Sequence, residues 1–167
     1  AIYISETDDV DWQDKWKDYF HTFRIGENIV ITPTWEENAE VKEGDIVIKI
    51  DPGIAFGTGT HETTRLCVEE LQKYVNRGSE ILDVGCGSAI LTIAALKLGA
   101  KWACALDIDP VAVKAAKENL EINDITENIA RLEVGNLLED NGLCNELYNK
   151  QYNIVFANIL APVLVPL

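Results

Sequence analysis

Ile81-Leu82-Asp83-Val84-Gly85-Cys86-Gly87-Ser88-Ala89-Ile90-Leu91-Thr92 is the stretch whose reading decides the fold. Residues 81–84 form a short apolar run, predicted to be a strand buried on both faces. Gly85 and Gly87 then make a tight turn. Glycine adopts backbone angles that other residues avoid, and its missing side chain lets a ligand approach the main chain. Ser88 is expected to cap a helix that runs to about Leu98 and stops at Gly99. A glycine turn between the carboxyl end of a strand and a helix N-terminus is where open α/β sheets hold nucleotide-type ligands. Gly85 and Gly87 are therefore candidate ligand contacts.

Downstream, 102–106 reads as a second strand, followed by Asp107-Ile108-Asp109-Pro110. Proline is favoured at the first helical position, so Asp109 reads as a helix N-cap. That leaves Asp107 with no structural duty. It lies about 20 residues beyond Gly85, where such folds carry the acid that accepts both hydroxyl hydrogens of a ribose. The helix over 110–122 turns Val113, Ala116 and Leu120 inward. A third strand over 129–134 ends at Gly135-Asn136, where Asn136 either reads an adenine edge or is simply a turn residue. Residues 139–150 are polar, with a short helix at best. A fourth strand over 151–157 leads into Asn158-Ile159-Leu160-Ala161-Pro162. This alternation predicts an α/β fold: a Rossmann-like, open, mainly parallel sheet with helices on both faces.

Upstream, Trp12, Trp16, Tyr19, Phe20 and Phe23 share one helical face, so a helix is predicted over 11–23. Residues 1–24 then read as a linker or docking helix from a missing N-terminal domain, and 25–167 as the ligand-binding domain. Short strands are expected over 28–32 and 45–50. The second runs into Asp51-Pro52-Gly53-Ile54-Ala55-Phe56-Gly57-Thr58-Gly59-Thr60-His61-Glu62-Thr63-Thr64, which opens a helix over 62–76. This is no phosphate loop of the Walker type, because Gly59 is followed by Thr60 and no lysine is near. Its alternatives are a wall that holds a small ligand's carboxylate or an ordered loop without ligand contacts.

Of the 167 residues, 47% are hydrophobic and 25% charged, a globular balance. The net charge of −14 opposes bare nucleic acid as the main ligand, since phosphates select Lys and Arg. No apolar run reaches membrane-spanning length and no signal peptide is visible. Cys67, Cys86, Cys104 and Cys144 lack C-x-x-C spacing, which predicts a reduced, cytoplasmic compartment and no metal site. A monomer is expected. The absence of methionine, and a last residue shortly after a strand, predict a fragment whose sheet is truncated after the fourth core strand.

The dinucleotide fingerprint G-x-G-x-x-G would require glycine at position 90, which is Ile90. The pattern G-x-G-x-G after an Asp-Val strand is that of S-adenosylmethionine-dependent methyltransferases. Gly85-Cys86-Gly87-Ser88-Ala89 matches it except at Ala89, whose methyl is tolerable there if its backbone angles are helical. The residues 51–64, the segment Leu82-Asp83-Val84-Gly85-Cys86-Gly87-Ser88, Asp107-Ile108-Asp109-Pro110 and Ala157-Asn158-Ile159-Leu160-Ala161 together resemble the ribosomal protein L11 methyltransferase (PrmA) family. The resemblance implies a class I fold and S-adenosylmethionine as cofactor. It implies methylation of amino groups, on lysine side chains and the N-terminal amine, of one large-subunit ribosomal protein. It also implies Thr64, Gly85, Asp107 and Asn158 as cofactor contacts; no direct contact with nucleic acid is expected, on the net acidity.

An amine must present its lone pair to the methyl group, so its hydrogens need acceptors. The Asn158 side-chain oxygen, with the backbone carbonyl of Ile159 or Leu160, suits that catalytic role. His61 either structures the start of a helix or accepts a proton. A nucleic-acid base methyltransferase would carry an Asn-Pro-Pro-aromatic segment here; Ile159-Leu160-Ala161 offers no stacking platform. A cofactor-binding fragment without activity is the other alternative.

Overall fold

The computed structural model describes residues 20–37, 39–51 and 61–166. The hub is β4 (Glu80–Val84). It pairs in parallel with β5 (Trp102–Asp107) on one side and with β7 (Ile154–Phe156) on the other. β5 pairs in parallel with β6 (Ala130–Val134). The order β6-β5-β4-β7 reverses direction between β4 and β7. A crevice beyond the carboxyl ends of strands at such a reversal is where open α/β sheets bind ligands.

The helices are α1 (Glu62–Tyr74), α2 (Ile90–Lys97), α3 (Pro110–Ile122), α4 (Asn141–Asn149) and the single turn α5 (Ala161–Leu164). Side chains alternate along the strands, as a pleat requires. Ile81, Ala103 and Ala130 pack into one core with Val68 of α1, Ile93 of α2 and Leu120 of α3. Leu82, Cys104 and Leu106 point the other way, against Leu147 of α4. Helices thus cover both faces, as the alternation predicts.

A second sheet was not legible in the sequence. β1 (Phe23–Ile25) runs antiparallel to β2 (Ile29–Pro33), which runs parallel to β3 (Ile46–Ile50). The two predicted strands are present, but they do not join the main sheet. Their Ile29, Ile31, Ile48 and Ile50 close over α2, within the same core as Ile81. This explains the composition of α2: every residue from Ile90 to Leu96 is buried. A helix that is apolar all round needs neighbours all round.

Most of the helix predicted over 11–23 lies outside the described residues. Its last part is not helical: Phe23 opens β1. Phe20 is buried and sits edge-on to Phe23 and Trp35, with ring centroids 6.0 and 6.3 Å away. Phe20 and Phe23 thus pack against each other at the edge of this sheet; Trp12, Trp16 and Tyr19 lie outside the described residues.

The outer backbone of β3 is met by the side chains of Asn119 in α3 and of Asn123, the C-cap of that helix. Lys49 N–H donates to Asn123 Oδ1 at 3.0 Å, and Asn123 Nδ2 donates back to the Lys49 carbonyl at 2.6 Å. Two residues on, Asp51 N–H donates to Asn119 Oδ1 at 2.8 Å. Residues four apart on a helix rise about 6 Å, close to the roughly 6.6 Å between alternate strand residues. The two amides therefore act as a substitute for a neighbouring strand.

Candidate functional site

The turn after β4 is built from backbone angles that side chains rarely adopt: φ is +75° at Gly85, +52° at Gly87 and +62° at Ala89. Gly85 and Cys86 both donate their N–H to the Leu106 carbonyl, at 2.8 and 2.9 Å. This ties the turn to the neighbouring strand. A Cβ on Gly85 would lie 2.3 Å from Cγ2 of Ile159. The space that glycine leaves at this position is thus filled by the segment following β7, not left open to a ligand.

Two expectations for the turn are corrected. Ser88 does not cap α2; the N-cap is Ala89, which has no side-chain cap bond. The left-handed residue at 89 turns Ser88 fully inward. Ala89 is also not helical, so its methyl carries a cost of about 1–2 kcal/mol. Its methyl is buried beside Cys86, Ala105 and Ala116, a gain of about 0.8 kcal/mol. Glycine would relieve the strain, lose that burial and widen the unfolded ensemble by about 0.4–1 kcal/mol. These nearly cancel, so Ala89→Gly is expected to change unfolding free energy by less than about 1 kcal/mol in urea titrations.

β4 meets the first turn of α2 through a side-chain pair: Thr92 donates its hydroxyl to Asp83 Oδ2 at 2.7 Å. Asp83 is buried, and its Oδ1 has no hydrogen-bond partner. Burial pushes this carboxyl up to about 7; the Thr92 bond opposes the rise and the charge of Asp107 adds to it.

Asp107, at the end of β5, has a structural duty after all. Its Oδ2 accepts the Gly87 N–H at 2.9 Å and its Oδ1 the Asp109 N–H at 3.0 Å. A carboxylate has about four lone-pair sites, so two remain to accept hydroxyl hydrogens. Asp109 caps α3 as expected, accepting from Val111 N–H at 2.8 Å. Asn136 accepts from Leu138 N–H at 3.1 Å, a turn role, and also lines the crevice. His61 caps α1: its Nδ1 accepts from Thr63 N–H at 3.3 Å and lies 2.8 Å from the Thr63 hydroxyl. Such a cap needs an unprotonated Nδ1, which opposes the proton-acceptor alternative.

Asn158, just past β7, donates its Nδ2 to the Thr64 hydroxyl at 3.1 Å. Thr64 is buried and stands behind Asn158; it is not among the residues lining the crevice. The amide nitrogen is thereby engaged, and Oδ1 is the Asn158 group left to accept a hydrogen bond.

The crevice has a volume of about 550 Å³ and brings together Gly85, Gly87, Asp107, Asn136, Asn158 and Ile159. That size suits a nucleotide-type ligand, whose pockets span roughly 300–1,000 Å³. Cys86 is no nucleophile, since burial and the nearby carboxylates of Asp83 and Asp107 push its thiol well up. Among the described residues, no group of His, Cys, Asp or Glu could hold a metal ion. None of their helices is long and apolar enough to cross a membrane. Asn119 is a participant that sequence reasoning missed; for Ile159 it named the main-chain carbonyl but not the side chain that fills the space at Gly85. Asn119 left a trace: it is a polar residue on the buried stripe of Ala112, Ala116 and Leu120.

A glycine turn at the strand reversal, a carboxylate ending the next strand and the order β6-β5-β4-β7 define a domain of the Rossmann-like methyltransferase class. Comparison with known proteins narrows the class. The sequence model of the ribosomal protein L11 methyltransferase (PrmA) family matches residues 1–167, and the chain belongs to that family. It is 50% identical to the ribosomal protein L11 methyltransferase of Lachnoclostridium phytofermentans, over 98% of this chain and 53% of that protein. It is 52% identical to that of Lachnospira eligens, over 100% of this chain and 52% of that protein. The crystal structure of ribosomal protein L11 methylase from Lactobacillus delbrueckii subsp. bulgaricus matches with a TM-score of 0.75 and 35% identity, covering 87% of this chain and 70% of that one. The chain spans about half the length of the curated relatives it matches.

Proposed function

We propose that the whole protein methylates amino groups of ribosomal protein L11, on lysine side chains and the N-terminal amine, with S-adenosylmethionine as donor. The observation that carries this reading is the Asn158 amide. It lies at the end of β7, tethered through Nδ2 to Thr64, and lines the same crevice as Gly85, Gly87 and Asp107. When bound, S-adenosylmethionine supplies an electrophilic methyl carbon for in-line attack by a neutral amine.

The chain's own residues do the rest by binding and orientation. Asp107 accepts the ribose hydroxyls with the lone pairs that Gly87 and Asp109 leave. Asn136 flanks the adenine end. The largely apolar walls, with Val84, Ile108 and Leu137 among them, exclude water from the crevice. Asn158 Oδ1 and the main-chain carbonyl of Ile159 or Leu160 accept the hydrogens of the incoming amine, which aims its lone pair. Such orientation supplies several kcal/mol of the barrier reduction. His61 remains a helix cap. The charge of −14 draws in a lysine-rich substrate. In this reading residues 1–24 link the domain to one that recognises the substrate, and the protein works as a cytoplasmic monomer without touching nucleic acid.

Asn158→Ala in the whole enzyme tests the acceptor role. Labelled methyl transfer to L11 is expected to fall about 10- to 100-fold, the loss of one or two oriented hydrogen bonds. Affinity for S-adenosylmethionine, measured by calorimetry, should change less than about threefold. Equal losses in both would remove Asn158 from the chemistry. Cofactor binding by the unaltered enzyme with no transfer to L11 would favour a binding protein instead.

A further inference from the structure

We infer that Asn119 is a positioning residue for the cofactor turn: its single buried amide fixes Ser88 against the end of β3. This rests on the reading above that the turn holds the cofactor. Asn119 is only 1% exposed. Its Oδ1 accepts the Asp51 N–H at 2.8 Å. Its Nδ2 donates to the Asp51 carbonyl at 3.4 Å and to the Ser88 carbonyl at 3.2 Å. An amide NH₂ has two hydrogens, so these two acceptors use both.

The turn requires such support. Three of its five residues, Gly85, Gly87 and Ala89, hold left-handed angles, and backbone of that kind persists only where its surroundings dictate it. On one side β5 dictates it, through Leu106 and Asp107. On the other, Asn119 holds the Ser88 carbonyl.

Asn123 provides a built-in comparison. It is the C-cap of the same helix, is buried, and grips the same strand with the same two-way bond, at Lys49. Its remaining bond goes to the Asn119 carbonyl, within its own helix, and not to the turn. A role confined to bracing β3 would make the two asparagines equivalent. A role in positioning the turn sets them apart.

The experiment compares Asn119→Ala with Asn123→Ala in this chain, with Asn119→Ser and Asn123→Ser as milder replacements if either alanine variant fails to fold. Hydrogen exchange is measured without ligand, well below both melting midpoints. The Asp51 amide should lose protection in the Asn119 variant and the Lys49 amide in the Asn123 variant. The Gly87 and Ala89 amides should exchange about tenfold faster in the Asn119 variant, and within about twofold of the parent in the Asn123 variant. Titration with S-adenosylmethionine should show at least a tenfold loss of affinity for the former and less than a threefold loss for the latter. Equal loosening of the turn in both variants, or none in either, overturns the inference. A parent chain that does not bind S-adenosylmethionine, while Asn119→Ala still loosens the turn, overturns the cofactor reading and leaves the bracing of the turn intact.

Discussion

Asp107→Ala is expected to weaken S-adenosylmethionine binding by about 100- to 10,000-fold. Hydrogen bonds to a charged acceptor contribute about 1.5–3 kcal/mol each, and the carboxylate has lone pairs for two ribose hydroxyls. The loss is compounded because Oδ2 also holds the Gly87 N–H and Oδ1 the Asp109 N–H. Removing both oxygens slackens the turn and the start of α3 together. Asp107→Asn separates the two effects. It keeps one oxygen for the Gly87 N–H but sets an NH₂ group where another acceptor was. Its affinity should fall nearly as far as that of the alanine variant, while its melting temperature falls less. Calorimetric titration and thermal melts on the same samples measure both. An affinity within about threefold of the parent in both variants would remove the ribose from this carboxylate.

The second large effect concerns Asp83, and it is a dependence of stability on pH. An aspartate in an unfolded chain titrates near 3.9, whereas burial raises Asp83 to about 7 in the folded protein. Between those values the unfolded chain has released a proton that the folded chain keeps. Stability therefore falls as pH rises from about 4 to about 7, then levels off. Three pH units at 1.36 kcal/mol each give a total of about 4 kcal/mol. The groups around the carboxyl make this direction firm. Thr92 of α2 donates to it, but Cys67 of α1, Cys86 of the turn and Asp107 of β5 bring no positive charge. Asp83→Asn cannot ionise. Its stability relative to the parent should improve by a few kcal/mol between pH 4.5 and pH 8, as read from urea titrations at each pH. A difference between the two proteins that stays constant with pH would show that Asp83 is ionised in the folded state.

The parts of the structure that were legible in the sequence follow local rules. The parallel sheet follows from apolar runs alternating with helical periods. The cap at Asp109 follows from the proline after it, and the turn from Gly85 and Gly87. What was not legible depends on residues distant in the chain. Nothing near Ile29 or Ile48 says that they cover α2 rather than extend the main sheet, because an apolar run does not name its partner. Ala89 reads as a helical residue until the path of the turn is known. Asp107 reads as unoccupied because its partners, the Gly87 and Asp109 N–H groups, are backbone atoms that no side-chain pattern reveals. The pairing of Thr64 with Asn158 bridges 94 positions. The resemblance to a family singled out both residues, but only the fold brings them together.

The enclosure of α2 between the two sheets has a consequence for how the chain comes apart. Neither sheet can peel away and leave the other intact, because each supplies one wall around a helix with no wet side. Loss of β1-β2-β3 would bare the isoleucines of two layers at once, so the layers form a single cooperative unit that melts all-or-none. The single turn of α5, which lies outside that enclosure and buries none of its residues, can fray without bringing down the rest.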